Sequence, residues 1–237
     1  MSGSLRRFAS TSILAALALG AAVVSPADGA PAQPYAGHVT SATVQTLHAD
    51  RGSGHPLMMW SDGVTSNVSD VFNGGQGHLK ARTRMALVST KDGVVSATNR
   101  AVAESQCSNC RTASVAVEVV LASERPSSLD FANTAFALNT GCQHCEALAM
   151  AYQLAVVAPG IRLSDRGVAE LRDINGRLGD VVVADESLDA VADAVKALVA
   201  EAVSVLDAEL TTTGADSRGR GRSRAPSVSV HSAVHRT

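Results

Sequence analysis

The chain has 237 residues, enough for one or two domains; 46% are hydrophobic and only 3% aromatic. That balance excludes a chain disordered throughout. It also makes any core one of Ala and Val, which buries less area per residue and leaves modest stability unless cross-links add to it. A formal net charge of −2 neither selects nor excludes a nucleic-acid or membrane partner as a global property.

Residues 1–32 read as a secretory signal. Arg6 and Arg7 supply the positive start, and Ile13 to Val24 is an uncharged apolar run. It is too short for a spanning helix, which needs about 20 apolar residues. Cleavage is expected near Ala27 or Ala32, so the mature chain is expected outside the cytosol, secreted or in the cell envelope, without a transmembrane span. An even number of cysteines in such a compartment points first to disulfides.

Residues 33–80 are rich in Gly, Ser, His and Asp with little periodicity, and are expected to be a poorly ordered N-terminal segment. His38, His48, His55 and His78 lack the short spacings of a metal site and are expected in solvated loops. Leu57-Met-Met-Trp60 is the one apolar patch, expected to dock on the main domain. Arg82–Thr90 and Val94–Thr98 flank the turn signal Lys91-Asp92-Gly93, a pattern that predicts a hairpin.

The chain is organised around residues 99–157. All four cysteines lie there, in two Cys-x-x-Cys pairs: Cys107-Ser-Asn-Cys110 and Cys142-Gln-His-Cys145. An Asn and an Ala-rich run precede each pair (Asn99, Asn133). An apolar run follows each, with one polar residue in register, Glu118 and then Gln153. This is an internal repeat of one supersecondary unit. β-Branched content and two-residue alternation favour a strand after each pair, with a short helix as the alternative. Each repeat is therefore expected to be a β-hairpin with its Cys pair at the tip, and Asn99 and Asn133 to be turn or edge residues capping backbone groups.

After Ala158-Pro-Gly160 the period changes to that of a helix. Ser164 predicts an N-cap; Val168, Leu171, Ile174 and Leu178 share a face. A second helix is predicted from near Asp185 or Ser187 to Leu210. Residues 211–237 contain Ser217-Arg-Gly-Arg-Gly-Arg-Ser-Arg224 and are expected to be disordered. In an exported chain, Arg218, Arg220, Arg222 and Arg224 could meet an anionic envelope polymer. The expected architecture is thus α+β. A small duplicated β-hairpin domain with CxxC tips (81–160) is followed by an antiparallel helical hairpin (161–210), between disordered termini.

Asn99-Arg-Ala-Val-Ala…Cys107-Ser-Asn-Cys110-Arg-Thr-Ala and Ala135-Phe-Ala-Leu-Asn139…Cys142…Cys145…Ala151-Tyr-Gln153, followed by Leu163 to Gly167, resemble a group of actinobacterial exported double-CxxC proteins. Similar segments form an extracytoplasmic part of proteins labelled peptide zinc metalloproteases. The resemblance spans roughly residues 82–210 and implies a shared exported module. It does not imply peptidase activity, because no His here is followed by Glu and the His-Glu-x-x-His helix is missing.

Three chemistries compete for Cys107, Cys110, Cys142 and Cys145. The first is disulfides, local or between the repeats, four cysteines allowing three connectivities. The second is one structural zinc on two Cys-x-x-Cys knuckles. The third is thiol–disulfide exchange, for which His144 beside Cys145 is the cue; but Gly141 precedes Cys142, and a thioredoxin-like α/β pattern is lacking. Nucleophilic Ser, phosphate-loop and dinucleotide signatures are absent, and no catalytic or cofactor-binding residue stands out. The expected function is a non-enzymatic structural or binding role with a disulfide-cross-linked domain. A zinc module accessory to an envelope enzyme is the alternative, and a thiol–disulfide oxidoreductase a further one.

Overall fold

The computed structural model describes residues 58–75, 79–181, 187–212 and 226–237, which fall in one compact unit, Ser41–Thr237. The signal segment, the four histidines at 38, 48, 55 and 78, and the Arg218–Arg224 run lie outside the described residues.

The chain runs β1 (Met58–Ser61), β2 (Val64–Asn73), β3 (Leu79–Thr90), β4 (Val94–Ser105), β5 (Arg111–Ala122), β6 (Ser128–Asn139), β7 (Glu146–Val157) and β8 (Ile161–Leu163). Then come α1 (Asp165–Val181), α2 (Leu188–Glu209), β9 (Leu210–Thr212) and β10 (Ser229–Arg236). From β2 to β7, successive strands alternate between two sheets. β2, β4 and β6 pair in parallel in one; β3, β5 and β7 pair in parallel in the other. A chain that crosses from sheet to sheet and returns one strand further along, always in the same direction, winds a coil. Three such coils, each contacting only its neighbours, make a flattened parallel β-solenoid. Equivalent residues of successive coils lie 32, 34 and 35 positions apart.

This overturns the expected α+β hairpin architecture: the described residues are mostly β. β3 and β4 are strands, as are β4 and β5, but within each pair the two strands lie in different sheets. Each turn between them is therefore an arc between layers. The segment expected to be poorly ordered contributes β1 and β2, and the tail expected to be disordered contributes β10. β2 belongs to a first coil that lacks cysteines; Gly74-Gly75 begins its turn where the later coils have Gln106-Cys107 and Thr140-Gly141.

The two faces of the central sheet explain its composition. On β5, Val115, Val117, Val119 and Leu121 join Leu148, Met150, Leu154 and Val156 of β7 in one core with the helices. The alternate residues face the other sheet, where Ala116, Ala147, Ala149 and Ala151 meet Ala101, Ala103 and Ala137. Both faces of β5 and β7 are covered, so apolar residues occupy both, and the polar side chains among them, Thr112, Ser114, Glu118 and Gln153, are buried. Small residues between the sheets let the layers approach closely, and the larger side chains fill the space under the helices.

The helices begin at serine caps. The Ser164 hydroxyl accepts from the Gly167 N–H at 3.0 Å and the Ser187 hydroxyl from the Ala190 N–H at 3.2 Å. Leu171, Ile174 and Leu178 of α1 and Leu188, Val191, Val195, Leu198, Val199, Ala202, Val205 and Leu206 of α2 are buried. The short β8–β9 pair ties the start of α1 to the end of α2.

The solenoid's final edge is closed by the tail. β10 runs antiparallel to β7 from Ser229 opposite Ala155 to Arg236 opposite Leu148. It also reaches across to the other sheet: Asn133 Nδ2 donates to the His231 carbonyl, the Ala137 N–H to His235 Nδ1, and Asn139 Nδ2 to the Thr237 carbonyl. All three pairs are separated by 98 positions, so β10 supplies one more rung in register. The rings of His231 and His235 lie 5.9 and 5.8 Å from those of Phe131 and Phe136.

Candidate functional site

The four cysteines occupy the same arc in successive coils. The arc from β4 to β5 carries Cys107 and Cys110; the arc from β6 to β7 carries Cys142 and Cys145. Ser108 and Gln143 pair in parallel between them, and the Asn109 N–H donates to the Gln143 carbonyl at 2.8 Å. Both arcs turn at the third motif position, with Asn109 at φ 56° and His144 at φ 54°. Asn and His are among the non-glycine residues that tolerate this left-handed region, so the two unlike residues serve one geometry.

The stack brings the pairs together. The Cys107 N–H points at Cys142 Sγ at 3.3 Å, and Cys145 Sγ lies 2.6 Å from the Cys107 carbonyl oxygen. The sulfurs of Cys107 and Cys110 lie at disulfide distance within their own arc; those of Cys142 and Cys145 do not, and both residues are half-buried. Burial pushes the Cys142 thiol up, and the neighbouring Cys145 thiol adds to that, against the downward pull of backbone contacts. Among the described residues no group of three or more His, Cys, Asp or Glu side chains is placed to hold a metal ion.

Between the sheets runs a column of buried polar side chains. Asn67 Nδ2 donates to Asn99 Oδ1, and Asn99 Nδ2 to Asn133 Oδ1, each at 2.9 Å. The same amides also donate to main-chain carbonyls, Asn67 to Val117 and Asn99 to Tyr152. One asparagine per coil thus bonds the coil beyond it and both sheets at once. Asn99, expected as a turn or edge residue, is buried on the middle strand β4, whereas Asn133 is half-buried on the edge strand β6 and donates to the Ala151 and His231 carbonyls. Stacked amides in parallel register satisfy one another and penalise any slip of register.

Next to the column sits Glu118, fully buried. It accepts from Thr65 Oγ1 and from Gln153 Nε2, both at 2.8 Å. Burial raises its pKa, more than these two hydrogen bonds lower it. Glu118 and Gln153 are register partners on β5 and β7: the repeat noted in the sequence is a stacked pair.

No family model, curated protein or solved structure matches the chain. Among the described residues no helix is long and apolar enough to cross a membrane. Sequence reading missed Asn67, whose coil lacks the cysteines that flagged the repeat. The signal that could have found it is the near-constant spacing of the asparagines: Asn67 precedes Asn99 by 32 positions, and Asn99 precedes Asn133 by 34.

Proposed function

We propose that this chain is an exported, non-enzymatic structural or binding protein of the cell envelope or medium, its solenoid stapled by disulfides in the cysteine arcs. The observation that carries the reading is the stacking of both Cys-x-x-Cys arcs in one conformation, one of them with its two sulfurs at disulfide distance. A local bridge closes a loop of four residues and, in the chain-entropy model, stabilises by about 2 kcal/mol. Two such bridges suit a core made largely of Ala and Val. Oxidation of Cys142 and Cys145 to the same local bridge follows from their equivalence in an oxidising compartment. The raised Cys142 thiol counts against the oxidoreductase reading, which needs a lowered one. The short N-terminal apolar run and the resemblance to exported double-CxxC proteins support export.

The test uses the chain recovered from an exporting host without chelator. Free thiols are counted after denaturation without reductant, and zinc is measured on the same sample. No thiols and no zinc, with peptide maps giving Cys107–Cys110 and Cys142–Cys145, support the reading. Four thiols with one zinc per chain, or turnover of a thiol substrate abolished by Cys142→Ser, overturn it.

A further inference from the structure

At the end of the sandwich opposite the cysteines, the three arcs that lead out of β3, β5 and β7 form the floor of a cleft of about 470 Å³. The arcs are bonded into a stack. The Ser123 N–H donates to the Thr90 carbonyl at 2.9 Å, and the Gly160 N–H to the Ser123 carbonyl at 2.7 Å. Each level brings one exposed cation to the lining: Lys91 on the first, Arg125 on the second, Arg162 just past the third. Among the described residues none of the three has an ion-pair partner. Glu124 is the one acidic residue of the lining.

The cleft also holds Trp60. β1 pairs with β3 along its length, Trp60 opposite Ser89, so the residue is anchored by its backbone. Its side chain nevertheless stays 65% exposed, with Lys91 Nζ 5.7 Å from the ring centroid. The sequence suggested an apolar patch that docks; the strand docks, and the indole stays out. An indole held beside a cleft by its backbone presents a flat apolar face with a polar edge, and has only two side-chain torsions to restrict on binding.

Cations on three successive levels, about 4.8 Å apart per level, match charges repeated along a linear polymer better than one compact anion. A flat ring beside them suits the face of a sugar. We propose that this cleft binds an anionic oligosaccharide, a sugar ring stacked on Trp60 and its carboxylate or phosphate groups on Lys91, Arg125 and Arg162. The inference deepens the binding reading above and rests on it, by naming the ligand class and the residues that recognise it.

Trp60 is the only tryptophan of the chain, so its fluorescence reports on this cleft alone. The full-length exported chain is titrated with tetragalacturonate, with a glycerol-phosphate oligomer and with neutral cellotetraose. Calorimetry follows the same titrations in K91A/R125A/R162A and in a second variant with Arg218, Arg220, Arg222 and Arg224 changed to Ser. The expected result is a Trp60 emission change with an anionic ligand, weakened by salt. Binding falls about tenfold or more for cellotetraose and for the triple variant, whose melting temperature is unchanged. Preference between the two anions identifies which group supplies the charge. Equal binding of cellotetraose, no binding of either anion, or full affinity in the triple variant overturns the cleft. If the tail variant alone loses anion binding, the cleft is overturned while the envelope-binding reading stands. Recovery of the chain from the cytosol, with reduced cysteines, overturns that reading itself.

Discussion

Replacing Glu118 with Gln is expected to stabilise the protein at neutral pH. The carboxylate lies between the sheets with two hydrogen-bond donors and no cationic partner among the described residues. In the unfolded chain a Glu titrates near 4.3; burial moves the folded value upward. Between those two values the native state holds more protons than the unfolded state, so stability falls as pH rises. The contribution is present in full below the unfolded value, and the loss is complete above the folded one. Gln keeps the shape: its Oε1 accepts from Gln153, and its amide faces Thr65 Oγ1, which can accept. Removing a buried, incompletely compensated charge is worth about 1–3 kcal/mol, or roughly 3–10 °C in melting temperature for a body of this size. Urea and thermal unfolding of both proteins from pH 4 to pH 8 measure it. The difference should shrink toward zero at the acid end, other carboxylates cancelling between the two. A variant less stable than the parent at pH 7, or parallel pH profiles, would refute the reasoning and mean that the carboxylate has a cation beside it.

Cys107→Ala with Cys110→Ala should lower stability by about 2 kcal/mol, the value for a four-residue closed loop, read from non-reducing urea melts; a loss nearer 4 kcal/mol would point to bridges between the arcs. His144→Gly should raise stability by about 0.5–1 kcal/mol, because His144 sits at φ 54°, where glycine carries no side-chain penalty; no gain in thermal unfolding would count against a fixed turn. Asn99→Ala strips the donors held by Asn133 Oδ1, the Ala116 carbonyl and the Tyr152 carbonyl and should cost about 2–4 kcal/mol, against under about 0.5 kcal/mol for an exposed edge residue. Deleting residues 226–237 should bare the β7 edge and produce concentration-dependent association in light scattering; a monomeric, equally stable product would show that β10 does not guard that edge.

Local structure was legible in this chain, and layer assignment was not. Val115, Val117 and Val119 mark β5 by their branched side chains, and Ser164 marks the start of α1. The pairing failed because a tight turn such as Cys107–Cys110 looks the same whether it returns the chain to a neighbouring strand or carries it to the opposite sheet. The information lay in the like-with-like interval. Asn99 under Asn133 and Glu118 beside Gln153 are what parallel stacking of identical coils produces, whereas an antiparallel hairpin would reverse the order of its partners. Apolar residues on both faces of β5 and β7, rather than on one, were a further sign, since parallel strands covered on both faces read as near-continuous apolar runs. The tail failed for another reason. Ser229–Arg236 has too little apolar content to order itself, and gains order from the open edge of β7, the rings of Phe131 and Phe136, hydrogen bonds from Asn133 and Ala137, and the ion pair of Arg236 with Asp189. The cleft was illegible because Lys91, Arg125 and Arg162 are ordinary surface cations until three arcs bring them to one place. For the cysteines, the sequence left disulfides, local or crossed, zinc and thiol exchange open, and the fold places the Cys107 and Cys110 sulfurs at disulfide distance.

A solenoid of identical coils has no intrinsic length, yet this one has a width set from outside. α1 packs over β3 and α2 over β7, with β5 between them. Three parallel strands place the outer two about 10 Å apart, close to the spacing of two packed helices, about 8–10 Å. On the β7 side the next level is taken by β10, which runs antiparallel and whose Arg236 pairs with Asp189 of α2. A further parallel coil would have to displace that strand, so the tail acts as the stop that limits how far the repeat can be copied.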